Sequence, residues 1–206
     1  AIDRATRLVA VAAGTGGVWL VDVADPTSPS VFAQIALPTT QIEVMNGIAY
    51  FGSQGFLRAY DMGSVREDSR LAIGSSAVTG MTVEGETLYI LQADGRLTSF
   101  STNDGALQQL GSIQLSDGTG SSTDIAGSSQ ITVANGILYI PRGDTQVIGG
   151  FATVDVHDPA APVLLSDRDP IGVTGGALAL ISPDAAVGVQ SFVQNTPLGV
   201  RVVDAV

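Results

Sequence analysis

Cysteine is absent from these 206 residues, and so is lysine. Without cysteine no disulfide can hold the fold, so burial and strand pairing must. That absence leaves secretion open, because a repeat array closes without crosslinks. Histidine occurs once, at His157. One His and no Cys cannot assemble a zinc, copper or iron–sulfur ligand set, and a His-dependent nucleophile would have only this residue to draw on. Positive charge is scarce as well: nine basic residues, all Arg, face twenty acidic ones, for a net charge of −11. Nucleic-acid backbones and anionic membranes demand a positive face, so neither is an expected partner. No apolar run reaches the 18 residues of a membrane-spanning helix, and membrane insertion is not expected. The chain opens on Ala1 without a charged-then-apolar leader, which leads to the expectation of a processed chain or an excerpt of a longer one.

What is present is globular in composition, 45% hydrophobic and 14% charged. Twenty-five Gly among many Val, Ile, Leu and Thr suit short strands joined by tight turns. No segment carries the 3.6-residue spacing of an amphipathic helix. The acidic excess suits solubility, or a high-salt or extracellular setting.

One supersecondary unit is written several times. Val21-Asp22-Val23-Ala24-Asp25-Pro26-Thr27-Ser28-Pro29 returns as Val154-Asp155-Val156-His157-Asp158-Pro159-Ala160-Ala161-Pro162, a shared V-D-V-x-D-P-x-x-P. Each copy closes an apolar strand, and the strands at 18–22, 57–61, 97–101, 151–155 and 200–204 align. Their fifth positions are Asp22, Asp61, Ser101, Asp155 and Asp204, spaced by 39, 40, 54 and 49 residues. A second strand precedes each, at 8–12, 48–51, 88–91, 137–140 and 187–192. Asn46-Gly47, Gly85-Glu86, Asn135-Gly136 and Ser182-Pro183-Asp184 supply the turns before four of these. Strands at 42–44, 81–83, 131–133 and 178–181 lie further upstream, and a last strand follows at 31–37, 70–73, 110–115 and 163–165.

Four antiparallel strands in about 40 residues make a propeller blade. The expected fold is all-β, a β-propeller of about five four-stranded blades with the first and last incomplete. The units run roughly 1–38, 39–76, 77–127, 128–174 and 175–206, as one propeller domain or a fragment of one. Blades stack face to face, which accounts for strands that are apolar at consecutive positions.

The motif and its preceding hairpin resemble the LVIVD repeat, whose units read roughly as an aliphatic strand followed by V-V-D-V-S-x-P-x-x-P. The resemblance is strong in units one and four and clear at the end of unit five. Unit two keeps Tyr60-Asp61 and loses both prolines, while unit three keeps only its strand and a turn. The resemblance implies a secreted or surface β-propeller of bacteria or archaea; it implies no reaction.

No catalytic or metal-ligating pattern stands out, and no cofactor is expected. The recurring Asp reads as turn chemistry, accepting from turn amides. His157 falls in the variable position of the motif, a solvent-facing turn. Gly14-Thr15-Gly16-Gly17 joins two strands with no helix to present amides, so it reads as a hairpin turn rather than a phosphate loop. Trp19 shares its repeat position with Arg58, Thr98, Ala152 and Arg201, which points to packing between units.

Two segments lengthen the repeat, 116–129 and 141–150, and 193–199 does so again in unit five. In an antiparallel blade the second-to-third-strand loop emerges at the same end as the loop leading to the next blade. The insertions are therefore expected on one face, with Asp117, Asp124, Arg142, Asp144, Arg168, Asp169 and Asn195 as contact candidates. The leading functional reading is a non-enzymatic binding or scaffolding module of an extracellular or cell-surface protein. Its partner would be a protein, a surface polymer or further blades of the same polypeptide. Two alternatives stay open. One is a calcium-dependent propeller hydrolase drawing on Glu43, Glu84 and Asn46. The other is a purely structural spacer in a surface assembly.

Overall fold

The computed structural model describes residues 1–115, 130–142, 150–166, 178–182, 185–189 and 200–204. Their strands form five antiparallel sheets, each ordered as in the sequence. The first holds β1 (Ile2–Asp3), β2 (Leu8–Ala12), β3 (Val18–Asp22) and β4 (Ser30–Ile35). The second holds β5 (Ile42–Met45), β6 (Ile48–Ser53), β7 (Phe56–Asp61) and β8 (Arg66–Ala72). The third holds β9 (Val78–Glu84), β10 (Thr87–Gln92), β11 (Arg96–Ser101) and β12 (Gln108–Gln114). The fourth holds β13 (Thr132–Ala134), β14 (Ile137–Arg142), β15 (Gly150–Asp155) and β16 (Val163–Ser166). The fifth has three described strands, β17 (Leu178–Ser182), β18 (Ala185–Val189) and β19 (Val200–Asp204). Helical structure among the described residues is a single 3-10 turn, Asn103–Gly105.

Several placements differ from the sequence reading, and three have a local cause or consequence. The first sheet, expected to be incomplete, has its first strand, although β1 is only two residues long. The outer strand of unit two begins at Arg66 rather than residue 70, because without the prolines its turn is just 62–65. The second strand of unit five is Ala185–Val189 rather than 187–192, because the pairing with the strand before it begins at Ser182 and Ala185.

Local chemistry explains the hairpins. Met45 pairs with Ile48 around Asn46 and Gly47, whose φ values of 51° and 79° are those of a type I′ turn. Asn135 and Gly136 repeat this at 52° and 73°. At the strand ends the recurring Asp caps a turn. Asp22 Oδ1 accepts from the Ala24 amide at 2.8 Å, Asp61 Oδ1 from Ser64 at 2.7 Å, and Asp155 Oδ1 from His157 at 3.0 Å. The motif's second Asp does the same, Asp25 with the Thr27 amide at 2.9 Å and Asp158 with the Ala160 amide at 3.0 Å. The outer strand then pairs through a register shift at one repeat position in three sheets, at Leu20/Val21, Ala59/Tyr60 and Thr153/Val154.

The chain forms two compact units, residues 1–78 with 101–108, and residues 79–100 with 109–206. In the first, Leu8, Ala10, Val18, Leu20 and Ile35 pack against Ala49, Phe51 and Met62. In the second, Tyr89, Leu91 and Leu97 pack with Leu115, Ile131, Val133, Leu138, Ile140, Ala152, Val154 and Val156. Middle strands are covered on both faces, so Ala49, Tyr50 and Phe51 are buried at consecutive positions. Edge strand β8 instead alternates and carries Arg66, Glu67, Asp68 and Arg70. Edge strand β4 leaves Val31 and Phe32 exposed.

Candidate functional site

The connections around the first two sheets enclose a cavity of about 440 Å³. Four pieces of chain build it, all in the first compact unit. They are the β2–β3 turn at Gly14 and Thr15, the connection at Pro38–Thr40, the β6–β7 turn at Gly52–Gly55, and the β8–β9 connection with Ile73 and Ser75–Val78. Backbone pairing ties two of these together: the Gly14 amide donates to the Thr39 carbonyl at 2.9 Å, and the Thr39 amide to the Gly14 carbonyl at 3.0 Å. Thr39 Oγ1 then donates to the Gln41 carbonyl at 3.0 Å. Gln54 and Gly55, at φ 54° and 82°, turn β6 into β7. None of the lining side chains is titratable. Ser53 is buried, and its Oγ has no hydrogen-bond partner.

This cavity was not read from the sequence. Its residues are Gly, Ser, Thr, Pro and small aliphatics without a motif, and they come together only through four separate connections.

The residues singled out in the sequence fall elsewhere. Asp117, Asp124, Asp144, Arg168, Asp169 and Asn195 lie outside the described residues, as do segments 116–129, 143–149 and 190–199. Arg142, read as a loop residue, is the last residue of β14 and pairs with Gly150. Glu84 accepts from the Gly136 amide at 3.1 Å, a structural use of its carboxylate. Asn46 occupies the type I′ turn. Glu43 sits in β5, where burial holds its carboxyl above the usual carboxylate range against the pull of the N-terminal ammonium. Among the described residues no group of three or more His, Asp or Glu side chains is placed to hold a metal ion. His157 is exposed, with Nδ1 at 2.8 Å from Asp155 Oδ1. Trp19 is half-buried in β3, whereas Arg58, Thr98 and Ala152 at the same repeat position are buried.

Arg58 belongs to a second polar cluster that sequence reasoning missed. Its Nη1 reaches both carboxylate oxygens of Glu67 at 3.0 Å, and the Tyr60 hydroxyl donates to Glu67 Oε2 at 3.1 Å. The guanidinium groups of Arg58 and Arg70 each lie 5.4 Å from the centre of the Phe56 ring. These side chains bond one another across β7 and β8, while the buried Arg58 Nε has no hydrogen-bond partner. Only the pairing of an inward Arg with an outer-strand Glu could have signalled them.

No family model matches the sequence, and no curated protein matches it. Solved structures do. The propeller domain of Cps50 (Swd1) from Myceliophteria thermophila matches at 14% identity and a TM-score of 0.67, over 89% of this chain and 62% of that one. The computationally designed Ika8 protein matches at 17% and 0.64, over 92% and 54%. A Saccharomyces cerevisiae structure of Dbp5 bound to Nup159, Gle1, IP6 and ADP matches at 17% and 0.57, over 97% and 58%. The chain thus spans less than two thirds of each. Together with the five meandering sheets, these likenesses establish the fold as a β-propeller.

Proposed function

We propose that this chain is a non-enzymatic binding and scaffolding module of an extracellular or cell-surface protein, of the LVIVD-repeat kind, that engages a protein partner. One observation carries the reading. The uncharged cavity is built from second-to-third-strand turns and sheet-to-sheet connections. The long connections 116–129, 143–149, 167–177 and 190–199 belong to those same two classes. In an antiparallel four-stranded sheet both classes emerge at one end, so a rigid scaffold concentrates its variable chain there. The recurring carboxylates, in contrast, are engaged in turns. Support also comes from neighbours of the same fold that are found in protein complexes, although the designed Ika8 shows that the fold alone prescribes no ligand.

The test immobilises the whole chain, exposes it to cell-surface protein extract, and assays the same preparation on ester, lactone and phosphate-ester substrates with and without calcium. Saturable capture of a protein, weakened by shortening 116–129 and 143–149, together with no turnover, is expected. Turnover above background overturns the reading.

A further inference from the structure

One face of the first sheet is apolar and open. Residues paired across strands share a face, so Ile2, Val9, Val21 and Val31 form one row and Val11 and Trp19 the next. The opposite face carries Leu8, Ala10, Val18 and Leu20 and is buried against the second sheet. On the open face Ile2 is 55% exposed, Val11 44% and Val31 60%, while Val9, Trp19 and Val21 are half-buried. None of the six is charged, in a chain of net charge −11. A contiguous apolar patch of this kind marks an interaction surface.

The repeat shows what belongs there. By strand pairing, Val11 and Trp19 correspond to Phe51 and Arg58 in the second sheet and to Ile140 and Ala152 in the fourth. Those four are at most 5% exposed. The preceding sheet buries them: Leu8, Ala10, Val18 and Leu20 pack against Phe51, and Tyr89, Leu91 and Leu97 against Ile140 and Ala152. The Asp-Pro turn docks on that preceding sheet as well. Ser99 Oγ of the third sheet donates to the Pro159 carbonyl, and a Cβ on Gly111 would lie 2.4 Å from the Ala160 carbonyl oxygen. The same turn in unit one is exposed from Ala24 to Pro29. A second copy of the chain offers no match among its first four sheets, because the covering positions Ala10, Tyr50, Tyr89 and Tyr139 are all buried already.

We propose that the open face receives a further four-stranded propeller sheet, from polypeptide beyond these 206 residues, as the second sheet receives the first. The incoming sheet presents aliphatic side chains to Val11 and Trp19. To the turn at Pro26 and Thr27 it presents a hydroxyl and a glycine, in the places that Ser99 and Gly111 take beside the fourth sheet.

The test puts a single thiol on the face. Val11→Cys is made in the 206-residue chain and in the complete gene product, and maleimide uptake is read by mass spectrometry on the arginine-bounded peptide 8–58, which has no other cysteine. The chain alone is expected to label at the rate of an exposed thiol, and the complete product about tenfold more slowly or less. Val11→Arg is expected to leave the melting temperature of the chain alone within about 2 °C and to lower that of the complete product clearly. Protection in the dilute chain alone shows that the chain covers the face itself and overturns the proposal. Protection that grows with concentration shows that a second copy covers it and overturns the proposal equally. So do a complete product without a further sheet, one whose thiol labels as fast as the chain's, and equal losses of melting temperature from Val11→Arg in the two.

Discussion

The Tyr89 hydroxyl, in the third sheet, donates to the Val156 carbonyl in the fourth at 3.4 Å. Val156 is the residue just after the Asp that closes its strand. Tyr50 makes the same contact with the Thr102 carbonyl, also at 3.4 Å, and Thr102 too follows the end of its strand. Tyr139 occupies the matching position in β14 and is fully buried. The Tyr50 and Tyr89 hydroxyls thus each meet a backbone carbonyl just past a strand end.

Tyr89→Phe should therefore destabilise the chain by about 1 kcal/mol, the net worth of a hydrogen bond. The pH dependence carries its own signature. Burial, reinforced by the Glu84 charge, pushes the Tyr89 hydroxyl up to about 12. The folded state then holds a proton that the unfolded chain releases near pH 10, so stability falls as pH rises from about 10 to about 12. Urea titrations across that range should show the loss in the native chain and a shallower one in Tyr89→Phe.

Asp61 works in the opposite direction. Amide and hydroxyl hydrogen bonds from Ser64 hold its carboxyl below the usual carboxylate range. Its contribution is present above the unfolded-state value, near 3.9, and disappears as pH falls through the lower folded value. Asp61→Ala should cost under about 1 kcal/mol at neutral pH, given its exposure, and the difference from the native chain should vanish in acid. A difference that persists at pH 2 would count against the turn as the cause.

The Arg58–Glu67 pair calls for a double-mutant cycle. Glu67→Ala leaves the buried Arg58 uncompensated and should cost about 2–3 kcal/mol. Arg58→Met with Glu67→Leu should recover most of that, because apolar side chains of similar volume need no partner. Additive losses in the double variant would show that the two groups are not coupled.

Two glycines separate strain from collision. Gly17 has φ +79°, and a Cβ there would lie 2.2 Å from the Ile35 carbonyl oxygen. Gly74 has φ +86° with nothing within 4 Å. Gly74→Ala should cost roughly 1–2 kcal/mol from backbone conformation alone. Gly17→Ala adds a backbone collision and should exceed that clearly, as read by thermal unfolding of the two variants.

The fold was legible because its signals are local and repeated. Asn-Gly pairs set hairpins, and Asp at a strand end set a turn. Where the local signal changed, the reading slipped: β8 starts four residues early because a turn without prolines is shorter. The tyrosine contacts were invisible for another reason, since their acceptors are backbone carbonyls that leave no mark in sequence. The same holds for the Ser53 cavity, whose walls use residue types common to any connection. Arg142, taken for a loop residue as part of the 141–150 insertion, instead extends β14 by pairing with Gly150.

The shared register shift bears on ancestry. In each of the three sheets the pairing skips one residue of the outer strand, Phe32, Asp68 and Leu165, at the step into Val21, Tyr60 and Val154, which lie just before the closing Asp. An irregularity that recurs at one repeat position is what copying of a single segment that already possessed it would leave. Unit two has since lost both prolines and shortened its turn, yet keeps the irregularity. Divergence erased the conspicuous letters first and spared a feature that no letter spells.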